Sequence, residues 1–285
     1  MINRLDRIHQ RAKSHPEADF NNLFSLLNEE LLWHAFRRLK QGKVPGVDGV
    51  TLEAYEANLR DNLRDLLQRL HRGSYRPQPS LRKNIPKGNG KTRPLGIACV
   101  EDKLVQRAVV MILEQIYEVD FFDNSYGFRP KRSCHQALSV LGQNIATRRV
   151  NWVSDSGIKG FFGNVCHERL EGLLRKRISD PRMLSLIRRF LKSGVMIDGQ
   201  RFETEDGVPQ GGESLSAARQ RVSTSTGLFR YNVASRPPAV TFCAFDLYKM
   251  RPVEVRRLCK YQTLSMPTGV LPKNKNQRLA TLIAR

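Results

Sequence analysis

The sequence predicts an α+β fold, and three observations lead to it. Apolar residues return at helical spacing in successive stretches between Phe20 and Leu191. Turn residues between short segments mark two hairpins, one with its tip at Lys87–Lys91 and one turning at Asp198-Gly199. Between them, Trp152, Val153, Ile158, Phe161 and Phe162 make an apolar run of strand length, ending in a Gly-Asn turn and passing into a helix. A strand that hands its C-terminal end to a turn and a helix is a common mount for a catalytic group.

Residues 1–19 read as an N-terminal segment. From Phe20 to Lys40, Leu23, Leu27, Leu31, Ala35 and Leu39 fall at helical spacing. The loop QGKVPGVDGVT separates this from a second helix, whose stripe of Leu52, Tyr55, Leu59, Leu63, Leu66 and Leu70 is core. Tyr75 to Gly96 changes character: YRPQPSLRKNIPKGNGKTRPLGI breaks short apolar pieces with glycine, proline and six basic residues. Its KGNGK piece is a hairpin tip whose cations suit phosphates, or an ordinary solvated basic turn. The P-loop pattern is not present.

Glu101 to Val119 predicts a helix with a wide buried face, carrying Leu104, Ala108, Ile112 and Ile116 beside Val105, Val109 and Leu113. In SYGFRPKRS (Ser125 to Ser133) aromatics alternate with Arg129, Lys131 and Arg132, a mixture able to stack on bases and hold phosphates, or simply a packed turn. After the central strand, Leu170, Leu173, Leu174 and Ile178 give a helix over His167–Ile178. Ser179-Asp180-Pro181 starts the next one, with Asp as N-cap and Pro at the first helical position; Met183, Ile187, Phe190 and Leu191 face inward. Gly207 to Gly212, GVPQGG, is a backbone-rich turn with one amide side chain, Gln210.

The 285 residues suffice for a real core, and 40% hydrophobic with 26% charged is a folding composition. The 48 Lys and Arg against 27 Asp and Glu, net +21, call for a polyanionic partner. Cys99, Cys134, Cys166, Cys243 and Cys259 form no CxxC pair and read as free thiols in a reducing cytoplasm. With no signal peptide and no long apolar span, a soluble cytoplasmic protein without a membrane partner is expected, and no small-molecule substrate is indicated.

Taken in order, GVDGVT, IPKGNGKTRPLGI, VEDKLVQRAVVMILEQIYEVDF, SYGFRPKRS, GIKGFFGN and GVPQGG resemble successive blocks of the group II intron-encoded reverse transcriptase/maturase family. The resemblance covers roughly residues 20 to 212. It implies a partial right-hand polymerase: fingers over 20–150 and part of the palm over 151–212, with thumb and maturase domains absent. It places Lys87, Lys91 and Arg93 at the triphosphate or template and Phe162 at the sugar gate. Gln210 and Gly211 would lie under the templating base pair, and Lys83, Arg129, Lys131 and Arg132 against RNA. Intron RNA is the implied partner.

The chemistry is where the sequence departs. Intact family members use Mg²⁺, held by carboxylates from motif A, usually DIKGFFDN, and from a later YxDD hairpin. Here motif A reads GIKGFFGN, with glycine at Gly157 and Gly163, and no YxDD occurs; Phe245-Asp246-Leu247 is the nearest echo. Asp155 lies two residues back, about 6–7 Å along a strand, too far to replace the position of Gly157. No bound cofactor is expected, no catalytic residue is intact, and polymerase activity is predicted to be absent while RNA binding is retained. The alternative is an RNA-binding module that assists intron splicing without DNA synthesis.

After Gly212 the family continues with one variable residue and LSPLLAN, whereas this chain reads ESLSAARQ. Codons permitted for Ser214 to Gln220 include TCT CTC TCC GCT GCT CGC CAA, which read one base later give Leu-Ser-Pro-Leu-Leu-Ala and begin Asn. A frameshift near codon 213 is therefore expected. Residues 213–285 hold thirteen Lys or Arg, three acidic residues and no sustained period, so a disordered basic tail is expected. Without the YxDD hairpin, the Val153–Phe162 strand should have an unpaired apolar edge.

Overall fold

The computed structural model describes residues 2–40, 42, 44–86, 90, 92–147, 152–156, 161–208 and 239–243. Helix α1 (Ile2–Ser14) opens the chain, where sequence periodicity predicts no element. Its Ala12 is fully buried, Leu5 and Ile8 pack on the core, and the helix lies on α5. A 3-10 turn at Leu23–Leu26 and α2 (Glu29–Arg37) divide the predicted 20–40 helix. The break is at Asn28, whose side chain accepts from the Leu31 amide at 2.9 Å and so starts a new helix. The next stripe is also divided, into α3 (Leu52–Ala57) and α4 (Leu59–Arg72), around Asn58. Gly73, at φ 74°, ends α4 in the left-handed conformation that glycine adopts without strain.

Strands β1 (Ser80–Pro86) and β2 (Thr92–Ile97) form the predicted basic hairpin, antiparallel from Leu81↔Ile97 to Pro86↔Thr92. Helix α5 (Val100–Tyr117) is the spine of the core. Leu104, Val105, Ala108, Ile112, Leu113, Ile116 and Tyr117 are fully buried, and α1 and α2 pack against it. Its first turn is overlaid by the preceding loop so closely that a Cβ on Gly46 would stand 2.6 Å from the Cys99 amide nitrogen. Helix α6 (Cys134–Thr147) also goes unpredicted. A capping box starts it: Gln136 N donates to Ser133 Oγ at 3.3 Å, and Ser133 N donates to Gln136 Oε1 at 2.9 Å.

The central strand is shorter than the sequence implies. Strand β3 spans Trp152–Ser156, and Phe161–Asn164 is a 3-10 turn. Residues 157–160, between them, lie outside the described residues. Helices α7 (His167–Leu174) and α8 (Pro181–Leu191) follow and pack together. Strands β4 (Val195–Ile197) and β5 (Gln200–Phe202) turn through Asp198 at φ 49° and Gly199 at φ 80°, both left-handed as a two-residue hairpin requires. Parallel pairing of β4 with β1, Ser80↔Val195 and Leu81↔Met196, joins the two hairpins into a sheet of order β2-β1-β4-β5.

Strand β6 (Ala239–Cys243) pairs parallel to β3 from Trp152↔Ala239 to Ser156↔Cys243; among the described residues the two make a two-stranded sheet, so β3 is paired along one edge. The segment, Ala-Val-Thr-Phe-Cys, has the β-branched and aromatic residues that strands favour, although no longer period surrounds it. Among the described residues no helix is long and apolar enough to cross a membrane. Cys99, Cys134 and Cys166 are free thiols.

Candidate functional site

The basic hairpin has two unlike faces, fixed by its register. Directly opposed residues share a face, so the pairs Lys83↔Leu95 and Ile85↔Arg93 stand on one side of the ribbon. Lys83, Ile85 and Arg93 are all exposed there. Two cations flanking an isoleucine make a surface that can take a phosphate backbone and the edge of a sugar or base. Lys87 and Lys91 belong to the tip and lie outside the described residues; Pro86↔Thr92 closes the stem just before it.

The Ser125–Ser133 loop separates residues that the sequence groups together. The Arg129 side chain, 5% exposed, turns inward. Its Nε and Nη2 donate to Glu118 Oε1 at 3.1 and 2.8 Å, and Nη1 donates to the carbonyls of Phe122 and Ser125 at 2.7 and 2.9 Å. The guanidinium also lies 5.2 Å from the Phe121 ring centroid. With its fork occupied this way, Arg129 holds the loop's shape and presents no donor face to RNA. Lys131, at φ 60°, is exposed, and Arg132 is half-buried over Tyr126, 5.5 Å from its ring. Phe128, 63% exposed at φ 53°, is an outward aromatic that sequence reasoning does not single out. The Arg-Pro step after it is a turn signal, but nothing in the sequence says which aromatic faces out.

At the strand end, the GFFGN and GVPQGG blocks come together. Gly207 N donates to Val165 O at 2.8 Å, Cys166 and Asp206 form an isolated antiparallel bridge, and Val165 and Val208 are buried. His167, at the start of α7, reaches the same place: its Nε2 is 2.6 Å from Gly207 O. A carbonyl only accepts, so Nε2 carries the proton, and the buried Nδ1 has no hydrogen-bond partner among the described residues. His167 is therefore a strut between the two blocks, a role that no sequence motif marks. Phe162 falls in the 3-10 turn rather than at a strand end. Gly157, Gln210 and Gly211 lie outside the described residues.

The donor set does not fit the Mg²⁺ pair used by intact relatives. Glycine supplies no side-chain oxygen at 157 or 163, and among the described residues no three of His, Cys, Asp and Glu converge. Gly163 is exposed, and a Cβ there would meet nothing within 4 Å. Asp155 lies in β3, in register with Phe242 of β6.

Buried carboxylates in the helical body hold structure. Asp102, on α5, accepts from the Tyr75 hydroxyl and from Gln78 N at 3.0 Å. Burial pushes its carboxyl up to about 6, against the lowering effect of those two donors. Burial likewise raises the Cys99 thiol to about 11, which keeps it protonated and unreactive.

The sequence family "Reverse transcriptase (RNA-dependent DNA polymerase)" matches residues 85–225. The group II intron-encoded protein LtrA of Lactococcus lactis subsp. cremoris is 38% identical over 210 residues, 73% of this chain and 35% of LtrA. Protein YkfC of Escherichia coli K12 is 38% identical over 208 residues, 70% of this chain and 55% of YkfC. The chain thus spans about a third of the first relative and just over half of the second. Among solved structures, a chain of a partial Cas6-RT-Cas1–Cas2 complex aligns with TM-score 0.45 and 20% identity, covering 72% of this chain and 34% of that one.

Proposed function

Because the chain belongs to the group II intron-encoded reverse transcriptase/maturase family, we propose that it binds RNA but does not polymerise DNA. One observation carries this reading: the fingers ribbon keeps its cationic face at Lys83 and Arg93, while the motif A acidic positions are Gly157 and Gly163. Intron RNA is the proposed ligand, held by Lys83 and Arg93 on the stem, Lys87 and Lys91 at the tip, and Lys131 and Arg132 on the Ser125–Ser133 loop. Nucleotidyl transfer by two metal ions needs several carboxylates at once, and neither motif that supplies them is complete.

A primer-extension assay on an RNA template tests the reading. Wild type and Gly157→Asp should give no product, because one restored carboxylate is a single ligand. A chimera that replaces residues from 213 onward with an intact family sequence should extend the primer only when it also carries Gly157→Asp. Extension by the unmodified chain, purified free of host polymerases, overturns the proposal. On the binding side, replacing Lys87, Lys91 and Arg93 with Ala should flatten the dependence of log affinity on log salt.

The proposed origin of the defect is the shift of frame near codon 213. The family match runs on to residue 225, so the nucleotide sequence around that codon decides the matter. An LSPLLAN and a YxDD in another frame just downstream would establish it; their absence would make residues 213–285 a segment of separate origin.

A further inference from the structure

We propose that a basic pocket between the C-terminal end of α4 and the start of α8 is a second phosphate site, taking a backbone phosphodiester of bound RNA. The inference rests on the RNA-binding proposal, but on residues that proposal does not use. The cavity, about 350 Å³, is lined by Phe24, Arg72, Gly73, Arg182, Ser185 and Arg189 among others, and no carboxylate lines it. A site of that size admits a phosphate with its sugar.

Two of the three guanidiniums are already held in place. Arg189 Nη1 donates to the carbonyls of Gly73 and Tyr75 at 3.2 and 3.1 Å. Arg182 Nη2 donates to His71 O at 2.9 Å while its guanidinium lies 4.2 Å from the Phe24 ring centroid. Neither contact uses the whole fork, so each arginine keeps further N–H donors for a ligand. Arg72 has no hydrogen-bond or ion-pair partner among the described residues. Ser185, half-buried on the same wall, adds a neutral hydroxyl.

Nearby acids do not outweigh this cluster. Asp180 is 3% exposed and spends its carboxylate on three backbone amides, those of Phe24, Arg182 and Met183. Glu171 is occupied by Arg175 and Arg188. Three cations line the cavity against one buried carboxylate, Asp180, whose oxygens are taken up by backbone amides, so the excess positive charge favours a multiply coordinated anion, and prepositioned guanidinium forks match phosphate geometry.

The test uses the full chain and a labelled single-stranded RNA, with affinity measured across a salt series. Arg72→Ala/Arg189→Ala should lower the log–log slope by about 0.7, the value for one phosphate on a single strand. Arg72→Lys/Arg189→Lys should keep most of the slope. The loss should add to that of the hairpin triple variant. Should the double variant fail to fold, Arg72→Ala alone serves, since Arg72 is exposed and holds nothing else in place. An unchanged slope in a folded variant overturns the pocket and leaves RNA binding intact. Absence of RNA binding by wild type overturns both. A pocket whose arginine Nε–H resonances shift with inorganic phosphate at matched ionic strength, but not with RNA, is a free-anion site, and the proposal is then wrong about its ligand.

Discussion

Carboxylates are distributed very differently between the helical body and the end of β3. In the body they are structural: Asp180 starts α8 and holds the Phe24 turn, Asp102 ties Tyr75 and Gln78 to α5, and Glu118 clamps Arg129. At the strand end, the two positions that are acidic in the motif this stretch resembles are Gly157 and Gly163. Asp180, Asp102 and Glu118 are acids whose loss would orphan buried donors. Packing and capping place no such demand on an exposed side chain at the strand end.

The sharpest way to break that contrast is Asp180→Ala. It removes an N-cap, worth about 1 kcal/mol, and leaves the buried Phe24 amide without its acceptor, worth a further 1–3 kcal/mol. A loss of about 3 kcal/mol in denaturant unfolding is expected from these two effects together. A loss below about 1 kcal/mol would mean that the body does not depend on its buried acids for stability.

How legible each region is follows from where its signal resides. Asp180-Pro181 and Asp198-Gly199 are local chemistry, and both produce the element that the sequence predicts. Helix α5 carries so wide an apolar face that its bounds, Val100–Tyr117, differ from the expected Glu101–Val119 by at most two residues. Helix α6 has a readable start in Ser133 and Gln136, obscured by the basic run before it. The breaks at Asn28 and Asn58 are not visible in a periodic stripe, because a cap interrupts the backbone without interrupting the spacing. The inward turn of Arg129 is hidden for another reason: two of its partners are backbone carbonyls, which no sequence pattern displays. Of the candidate site, residue types are legible; the tie of His167 to Gly207, forty residues on, is not.

A smaller effect comes from Asp102, which tests whether a structural acid is held at some expense. Its carboxyl titrates near 6 in the fold against an ordinary value of 3.8. The folded value is raised, so its stabilising contribution is full below 3.8 and is lost as pH rises through 6. Acidifying from neutrality into that window should therefore raise stability by about 1 kcal/mol. The measurement is the difference in pH slope between wild type and Asp102→Asn, which cancels the contribution of every other group. Equal slopes would show that the hydrogen bonds from Tyr75 and Gln78 outweigh burial, and that the carboxyl is not raised by the fold.

The smallest effect is expected at Gly163, and it bears most directly on the contrast. The residue is exposed, its φ is not left-handed, and a Cβ there meets nothing within 4 Å. Restoring the family residue with Gly163→Asp should then shift stability by no more than about 0.5 kcal/mol, the range of an ordinary surface change. It should also give no primer extension, since position 157 and the second carboxylate motif are unchanged. Thermal unfolding of the variant decides between two accounts of the missing acid. A negligible shift means that the fold is indifferent to the acid, so its absence reflects chemistry no longer required. A loss above about 1 kcal/mol would mean that the local backbone or the surrounding charge rejects a carboxylate. In that case the glycine is imposed by this chain's own structure, and the division between an acid-dependent body and an acid-indifferent strand end would not hold.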